Sequence, residues 1–417
     1  MKNSLKISFL AAVLFLFFGS LKAQTLEDYL QIAADNNPDV KAAYAEFEAA
    51  MQEAPQVKSL PDPTLTMTAF GSMVETRLGP QEARFSLMQM FPWMGTLETR
   101  GNVANLMAEA KFQAFLNKRN ELFLEVSRQF YELYALEQQL SYQQDDLEIL
   151  QNYKDLALSR VRAGSGALSD VLQTDLMRNE SVTGLDILRL KKESLVVQFN
   201  ALLNRPRTEI VILPQEIETG PENAIFDTPV SGNPRLAELK TMEESAKAQE
   251  KLAQKEGLPN VGLGIDYAII GERMDMDVED SGRDAIMPML SVSLPIFRGK
   301  YKAAKKQAAF MAESYEQRRI GLENQLSAEM EAAVFQVREA QAMLKLYERQ
   351  VESSEQVLNL LLSSYRNASS SFEEVLRVRQ ELLKYQLAVA EAEAAYLTAL
   401  ARIDYLSGKS FDYDNKN

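Results

Sequence analysis

Methionines and acids are interspersed between residues 274 and 289, the part of the chain with the most distinctive ligand chemistry. Thioether sulfurs suit soft cations such as Cu(I), whereas carboxylates suit harder cations. The methionines are Met274, Met276, Met287 and Met289, and the acids are Asp275, Asp277, Glu279, Asp280 and Asp284. What this segment does depends on the elements that position it.

Two residue types that dominate enzyme and metal chemistry are missing from the sequence. The 417 residues include neither cysteine nor histidine. This removes thiolate nucleophiles, disulfides, the commonest general base and the commonest metal ligand. No nucleophile–base pair or phosphate-binding loop replaces them, so we expect neither an enzyme nor a bound cofactor. The net charge of −14 at pH 7 also argues against a nucleic-acid partner.

The N-terminus is typical of a secretory signal peptide. Lys2 and Lys6 precede an apolar stretch at residues 7–18, and Leu21-Lys22-Ala23 places a small residue before the cleavage point. The apolar stretch is too short to cross a bilayer reliably as a helix. We therefore predict that residues 1–23 are a signal peptide and that the mature chain is exported. No later stretch is long and apolar enough to predict a membrane-spanning helix.

Two very long helical hairpins dominate the mature sequence. The first runs from about Gly95 to Asn204 and breaks only at residues 163–166. The second runs from about Arg298 to Leu406 and breaks near residues 367–370. Neither contains proline, and strong helix formers fill both. Apolar residues recur every seven positions, as in a coiled coil, at Val337, Leu344, Val351 and Leu358. Helices of this length need a bundle, a filament or a tube to pack in.

The sequence contains the same plan twice. Asn37-Pro38 recurs as Asn233-Pro234, and Leu203-Asn204 corresponds to Leu406-Ser407, in each case about 200 residues further on. We predict a division into a first repeat at residues 24–204, a connector at 205–232, a second repeat at 233–408 and a tail at 409–417.

Each repeat contains one pair of candidate strands. The first pair is predicted at residues 64–70 and 84–91, separated by a polar loop at 71–82, and the second at 261–269 and 290–294. Apolar residues alternate with small or polar ones in all four. The longest strand has the length and the alternation of an outer-membrane strand.

Four strands are too few to close a barrel, because the smallest membrane barrels have about eight. An open edge in lipid would leave backbone groups unpaired, so the chain has to oligomerise. We predict a mainly α protein with a small membrane β part, made of duplicated helix–strand–strand–helix units. Its trimer would form a 12-stranded β-barrel continuous with a long α-helical barrel.

The segment at residues 274–289 then connects two membrane strands. The favoured interpretation is an acidic loop that faces solvent, with the methionines on the lipid face. We therefore assign no metal site there, and metal binding by the loop stays an open alternative.

The sequence resembles a known family, the TolC-like outer-membrane efflux proteins, over essentially all of its mature length. The resemblance rests on the duplicated plan and on two turn segments: residues 160–172, with the sequence RVRAGSGALSDVL, and residues 365–376, with the sequence YRNASSSFEEVL. The family pattern is an aromatic or basic residue, a glycine turn, and an acid before Val-Leu. The second turn departs from it, since Asn367 stands near the expected glycine, although asparagine tolerates the left-handed conformation.

The resemblance implies a trimeric channel with a β-barrel in the outer membrane and an α-barrel that crosses the periplasm. Family members work with a periplasmic adaptor and an inner-membrane transporter, and inward-bent helix pairs close the periplasmic end. The expected function is export of small molecules or ions, as the outer-membrane channel of a tripartite efflux pump. The expected partners are two further copies of the chain, the adaptor, the transporter and outer-membrane lipid.

The resemblance also assigns roles to residues at the two turns. Asp170 and Glu374 would contribute to an acidic ring that tunes cation passage, and Tyr365 would help to hold the closed state. Where the best-known pattern has a second acid three residues on, this chain has Gln173 and Arg377, so the resemblance does not fix the strength of the cation filter. As a hypothesis, Arg377 pairs with Glu374 and latches the closed end. The adaptor is expected to dock at the turns, on Arg162, Ala163, Gly164, Ser165, Arg366, Asn367 and Ala368.

Two other functions stay open on sequence grounds. One is the exit duct of a polypeptide (type I) secretion system, which has the same architecture and a different pump. The other is a periplasmic coiled-coil scaffold without a pore. Adaptors of that second class have one hairpin and a β-rich remainder, whereas this sequence has two hairpins and four strands.

Overall fold

The computed structural model describes residues 24–217, 229–366 and 371–409. Several predictions made from the sequence lie outside the described residues. These are the signal peptide, the middle of the connector, most of the tail, and the docking positions Asn367 and Ala368.

The described chain has the element order helix–strand–strand–helix twice over. The elements are α1 (Leu26–Asn36), α2 (Pro38–Met51), α3 (Glu53–Lys58), β1 (Thr64–Thr76), β2 (Gly79–Phe91), α4 (Thr96–Arg162), α5 (Leu168–Leu202), a 3₁₀ turn (Val230–Gly232), α6 (Pro234–Glu256), β3 (Asn260–Ile270), β4 (Ala285–Ser293), α7 (Gly299–Arg366) and α8 (Phe372–Ser407).

The two predicted helical hairpins are confirmed, as α4–α5 and α7–α8. Helix α4 has 67 residues and α7 has 68, several times the usual helix length of about 11–12 residues. No helix in the described part of the chain is both long enough and apolar enough to cross a membrane.

The repeated Asn-Pro pair begins a helix in both halves. The Asn37 side chain accepts a hydrogen bond from the backbone N–H of Asp39 at 2.9 Å, and that of Asn233 accepts one from Arg235 at 3.0 Å. Asparagine is a favoured N-cap, and proline suits the first helical position because no hydrogen bond is needed there. The Asn-Pro pair therefore starts a helix in the same way in both halves. In the first half it also separates α1 from α2.

The four strands form one antiparallel sheet in the order β1-β2-β3-β4. The predicted loop at residues 71–82 is wrong, because β1 continues to Thr76 and β2 already begins at Gly79. The register shifts between Ala69 and Val74. This irregularity breaks the alternation from which a strand is predicted. The last strand also begins five residues earlier than predicted.

The sheet has one apolar face and one polar face. Leu65 pairs with Leu87 and Leu263 with Leu290, and all four side chains are exposed in the isolated chain. The opposite face carries small, polar and methionine side chains: Ser86, Met88, Met90, Gly262, Gly264, Asp266, Met287, Met289 and Ser291.

The prediction that Met287 and Met289 belong to the lipid face is therefore wrong. Ile286, Leu290 and Val292 occupy the apolar face of β4, so the methionines between them point to the polar face. The strand was predicted only from residue 290, so Met287 and Met289 were assigned to the loop, whereas β4 already begins at Ala285.

The chain divides into two compact units, each with its own packing. One unit takes in the described residues up to Lys41, those of Lys118–Ser231 and those from Leu326 onward. In its core, Tyr29 packs against Phe130 and Phe199, with ring centroids 5.8 and 5.1 Å apart.

The other unit comprises Ala42–Asn117 and Gly232–Gln325 and contains the sheet. Aromatic side chains join α2 to the first part of α4: Tyr44 lies 5.3 Å from Phe115, and Phe47 lies 5.2 Å from Phe112, measured between ring centroids.

Candidate functional site: the helical hairpin turns

The turn between α4 and α5 has a defined geometry. Gly164 has a φ of 72°, the left-handed conformation that glycine adopts without strain. The N–H of Ser165 bonds to the carbonyl of Arg160 at 2.9 Å, and the N–H of Gly164 bonds to that of Val161 at 3.0 Å. These two bonds are a Schellman motif, a common way to end a helix. The turn residues 162–165 are all exposed, as docking requires, and their role in docking stays a prediction.

Arg160 connects this turn to the end of α7. Its guanidinium carbon lies 4.2 Å from the ring centroid of Tyr365, within cation–π range. The same guanidinium donates hydrogen bonds to the backbone carbonyl of Tyr365 and, at 3.0 Å, to that of Ser165. Arg160 thus connects the turn between α4 and α5 to the end of α7, about 200 residues further along the sequence.

Tyr365 and Asp170, two of the predicted gate residues, lie in contact. Tyr365 is only 3% exposed, and its hydroxyl donates to the Asp170 carboxylate at 3.3 Å. Its ring packs on that of Phe372, 4.7 Å away. Burial, together with the charge of Asp170, raises the pKa of Tyr365 above its usual value, so the phenol keeps its proton at neutral pH. We call Arg160, Tyr365 and Asp170 the turn joint.

Glu374 and Arg377, the other two predicted gate residues, are exposed on α8. Glu374 lies in the first turn of the helix, where the Ser371 hydroxyl caps the backbone N–H of Glu373 at 3.2 Å. The structure pairs Arg377 with Glu381, one turn further along, at 3.2 Å. The hypothesis that Arg377 latches to Glu374 is therefore corrected in favour of this pair within α8.

A second set of polar contacts lies deeper between the same two hairpins. Arg379 on α8 donates to the Asp146 carboxylate on α4 at 2.8 Å, and both side chains are buried. The hydroxyl of Ser181 on α5 donates to the other oxygen of Asp146 at 3.2 Å, and Gln143 donates to Ser181 at 2.8 Å. We call Asp146, Arg379, Ser181 and Gln143 the inner joint.

Burial governs the electrostatics of the inner joint. It raises the pKa of the Asp146 carboxyl, while the paired guanidinium of Arg379 and the Ser181 hydroxyl oppose that shift. A buried charge has to be paired or neutralised. Removing either Asp146 or Arg379 would therefore leave the other as an unpaired buried group.

Sequence reasoning missed the roles of Arg160, Asp146 and Arg379. Arg160 is part of the turn motif, so a signal was present, but no role was assigned to it. Asp146 and Arg379 are separated by 233 positions and resemble the many solvated charges around them. Between β3 and β4, Arg273 pairs with Asp275 at 2.6 Å. In the described ranges, no three acidic side chains group as metal ligands.

The sequence profile of the outer membrane efflux protein family matches residues 29–177 and 230–409, which is most of the chain. Among the curated proteins no match was found.

Several solved structures share the fold. The outer membrane protein VceC from Vibrio cholerae superposes with a TM-score of 0.74 at 18% identity, covering 93% of this chain and 97% of VceC. The Neisseria gonorrhoeae MtrE outer membrane channel, solved in its open state, gives 0.73 at 15% identity, with 92% and 88% covered. The Campylobacter jejuni CmeC outer membrane channel gives 0.72 at 14% identity, with 92% and 85% covered.

The profile match, the duplicated element order and the joined hairpin turns agree with one another. The chain therefore belongs to the outer membrane efflux protein family, whose members are outer-membrane channels with a helical part that extends into the periplasm.

Proposed function

We propose that three copies of this chain form the outer-membrane channel of a tripartite efflux pump. A periplasmic adaptor and an inner-membrane transporter complete the pump, and small molecules or ions leave through the channel. The observation that carries this proposal is the sheet. Its terminal strands β1 and β4 each pair on one side only, and its apolar face is exposed. Neighbouring copies would pair those edges, and lipid would cover that face.

An exposed apolar stripe on α5 supports assembly from several copies. Leu168, Leu172 and Leu176 follow one another at helical spacing, and each is more than half exposed. Side chains spaced by four lie on one face of a helix. A second copy of the chain packed along this face would bury them, as an α-helical barrel requires.

The turn joint is the proposed closure of the channel. Arg160, Tyr365 and Asp170 hold the two hairpin turns of one copy together, and Asp170 and Glu374 provide negative charge beside them. Three copies would bring six such carboxylates to the periplasmic end. Because fixed charges of one sign attract counter-ions, a narrow opening there favours cations. The exposed turn residues Arg162 and Ser165 would face the adaptor.

The second candidate is export of polypeptides through the same architecture. The exposed turn between α4 and α5 fits either type of adaptor, so the difference lies in the pump that the channel serves. The phenotype of cells that lack the chain distinguishes the two functions. Loss of small-molecule efflux raises the accumulation of a fluorescent DNA-intercalating dye, whereas loss of a polypeptide duct retains a secreted protein inside the cell.

The experiment compares such cells with cells that carry the intact gene. We expect dye accumulation to rise without the chain and to return to normal when the gene is restored. A strain that accumulates no dye but loses a secreted polypeptide would favour the second candidate. Native mass spectrometry of the detergent-purified protein measures the copy number, and a monomer would contradict the channel proposal altogether.

A further inference from the structure

The polar face of the sheet carries a cluster of thioethers that the proposed channel does not yet use. Met88 and Met90 lie on β2 and Met289 lies on β4, and all three side chains are half-buried. The register places Met88 and Met289 on opposite sides of Gly264, and Met90 beside Gly262. Three sulfur-bearing side chains therefore surround two residues without side chains.

The sulfurs of Met88 and Met90 lie close together above β3. A methyl group built on Gly262 would lie 2.6 Å from the Met90 sulfur and 3.0 Å from the Met88 sulfur. The two sulfurs are therefore separated by at most the sum of these distances. A methyl group on Gly264 would lie 3.2 Å from the Met88 sulfur. Glycine at both positions leaves the space in which the thioethers lie across the strand.

The upper limit on this separation is comparable to the spacing of two ligands on one ion. Metal–sulfur bonds of about 2.3 Å hold two sulfurs at most about 4.6 Å apart. Methionine has three rotatable bonds, so a small rotation brings both sulfurs of the pair onto a single ion. In the register Met289 stands on the other side of Gly264 from Met88, so its flexible side chain could also be turned toward the same gap.

The chemistry of the face favours a soft cation over a hard one. Thioethers are uncharged, soft ligands that select ions such as Cu(I). The carboxylate on this face belongs to Asp266, and it is already engaged: Arg84 lies 3.4 Å from it, and the Ser86 hydroxyl donates to it. A hard divalent cation would have to displace that arginine.

We propose that Met88 and Met90, with Met289 as a third ligand, bind a soft monovalent cation of the chemistry of Cu(I) or Ag(I). This proposal rests on the proposed function, because in an outer-membrane barrel the polar face lines the lumen. It deepens that function by naming soft monovalent cations as one class of exported substrate.

The test is titration of the detergent-purified protein with silver nitrate in chloride-free buffer, followed by isothermal calorimetry. The variant M88L/M90L keeps the apolar volume and removes two sulfurs, so we expect its Ag(I) affinity to fall about tenfold or more. M289L removes one sulfur and should show a smaller loss. M274L/M276L is the matched control, since both methionines are exposed, and it should bind like the wild type.

Equal Ag(I) affinity in the wild type and M88L/M90L would overturn the proposal, as would a loss confined to M274L/M276L. Single-channel conductance of the same preparations separates the two proposals. A wild type that conducts but binds no Ag(I) overturns the cation site and leaves the channel standing. A wild type that binds Ag(I) through Met88 and Met90 but does not conduct supports the site and counts against the channel.

Discussion

The inner joint and the turn joint connect the same two helical hairpins with opposite chemistry. The inner joint is a buried ion pair, Asp146 with Arg379, braced by the hydroxyl of Ser181. The turn joint relies on a single arginine, Arg160, stacked on Tyr365 at the end of the hairpins, where neighbouring turn residues are exposed. The inner joint is shielded from water, whereas the turn joint lies next to solvent-exposed residues.

This difference divides the hairpins into a fixed part and a releasable part. Breaking a buried ion pair leaves an uncompensated charge, which costs several kcal/mol. Arg160 and Asp170 of the turn joint are only half-buried, so breaking their contacts leaves no charge sealed from water and costs less. We infer that the hairpins stay joined at the level of Asp146 while their turns separate, so that opening is confined to the last turns of the helices.

The largest effect is expected from removing the acid of the inner joint. D146A leaves the Arg379 guanidinium buried, charged and without its carboxylate, and we expect a loss of about 3–5 kcal/mol in the free energy of unfolding. Thermal unfolding of the purified protein measures this loss. D145A is the matched control, because Asp145 is the exposed neighbour and its loss should change stability by less than about 0.5 kcal/mol. Equal effects of the two substitutions would contradict a buried joint.

Removing the base of the same pair should cost less and should depend on pH. In R379M the unpaired Asp146 carboxyl can become neutral by taking up a proton. In D146A the unpaired Arg379 guanidinium cannot lose its proton and stays charged. Burial raises the pKa of Asp146, and without Arg379 the opposing effect is gone. The folded variant then binds a proton more readily than the unfolded one, so its stability rises as pH falls.

The measurement compares R379M with the wild type at about pH 8 and about pH 5, both above the pKa of an unperturbed aspartate. The loss of unfolding free energy in R379M relative to the wild type should be smaller at the lower pH. A deficit that grows on acidification would mean that Asp146 is not the residue left unpaired.

At the turn joint the expected effect is on conductance more than on stability. R160A removes the stacking on Tyr365 and two hydrogen bonds to backbone carbonyls, and we expect a stability loss of about 1–2 kcal/mol. Separation of the turns should raise single-channel conductance. R162A, two residues on and exposed, is the control. If R162A raised the conductance as much as R160A, the contact with Tyr365 would not be what closes the turns.

The smallest effect is expected at Arg377, whose pair with Glu381 is exposed and lies within one helix. Such pairs contribute about 0.3–0.5 kcal/mol. R377A should therefore leave both thermal stability and conductance close to those of the wild type. A large increase in its conductance would restore Arg377 as a latch.

The long helices and the doubled plan could be predicted from the sequence, because their signals are local and repeated. Proline is absent from 110-residue stretches, and the Asn-Pro pair marks a helix start twice. The end of α4 could also be predicted, since Gly164 marks the Schellman turn. The extent of β1 could not, because the irregularity after Ala69 breaks the alternation that indicates a strand.

The candidate site was predictable only in part. Family resemblance assigned Tyr365 and Asp170 to one site, and the structure brings them into contact, whereas their roles in the gate stay predictions and Arg160 carried no assigned role. The Asp146–Arg379 pair had no sequence signal, because it joins positions 233 residues apart on helices rich in other charges. Whether Met289 faces lipid or the polar side depended on where β4 begins, because the strand was predicted from residue 290 and the structure begins it at Ala285.

The central claim is that this channel is closed at its hairpin turns by the turn joint. Its most direct test is single-channel conductance in a planar bilayer, comparing the wild type with the double variant R160A/Y365F. We predict a small, cation-selective conductance for the wild type and a several-fold larger one for the variant. A well-folded wild-type assembly with the same conductance as R160A/Y365F would contradict the claim, because the turn joint would then have no part in closing the channel.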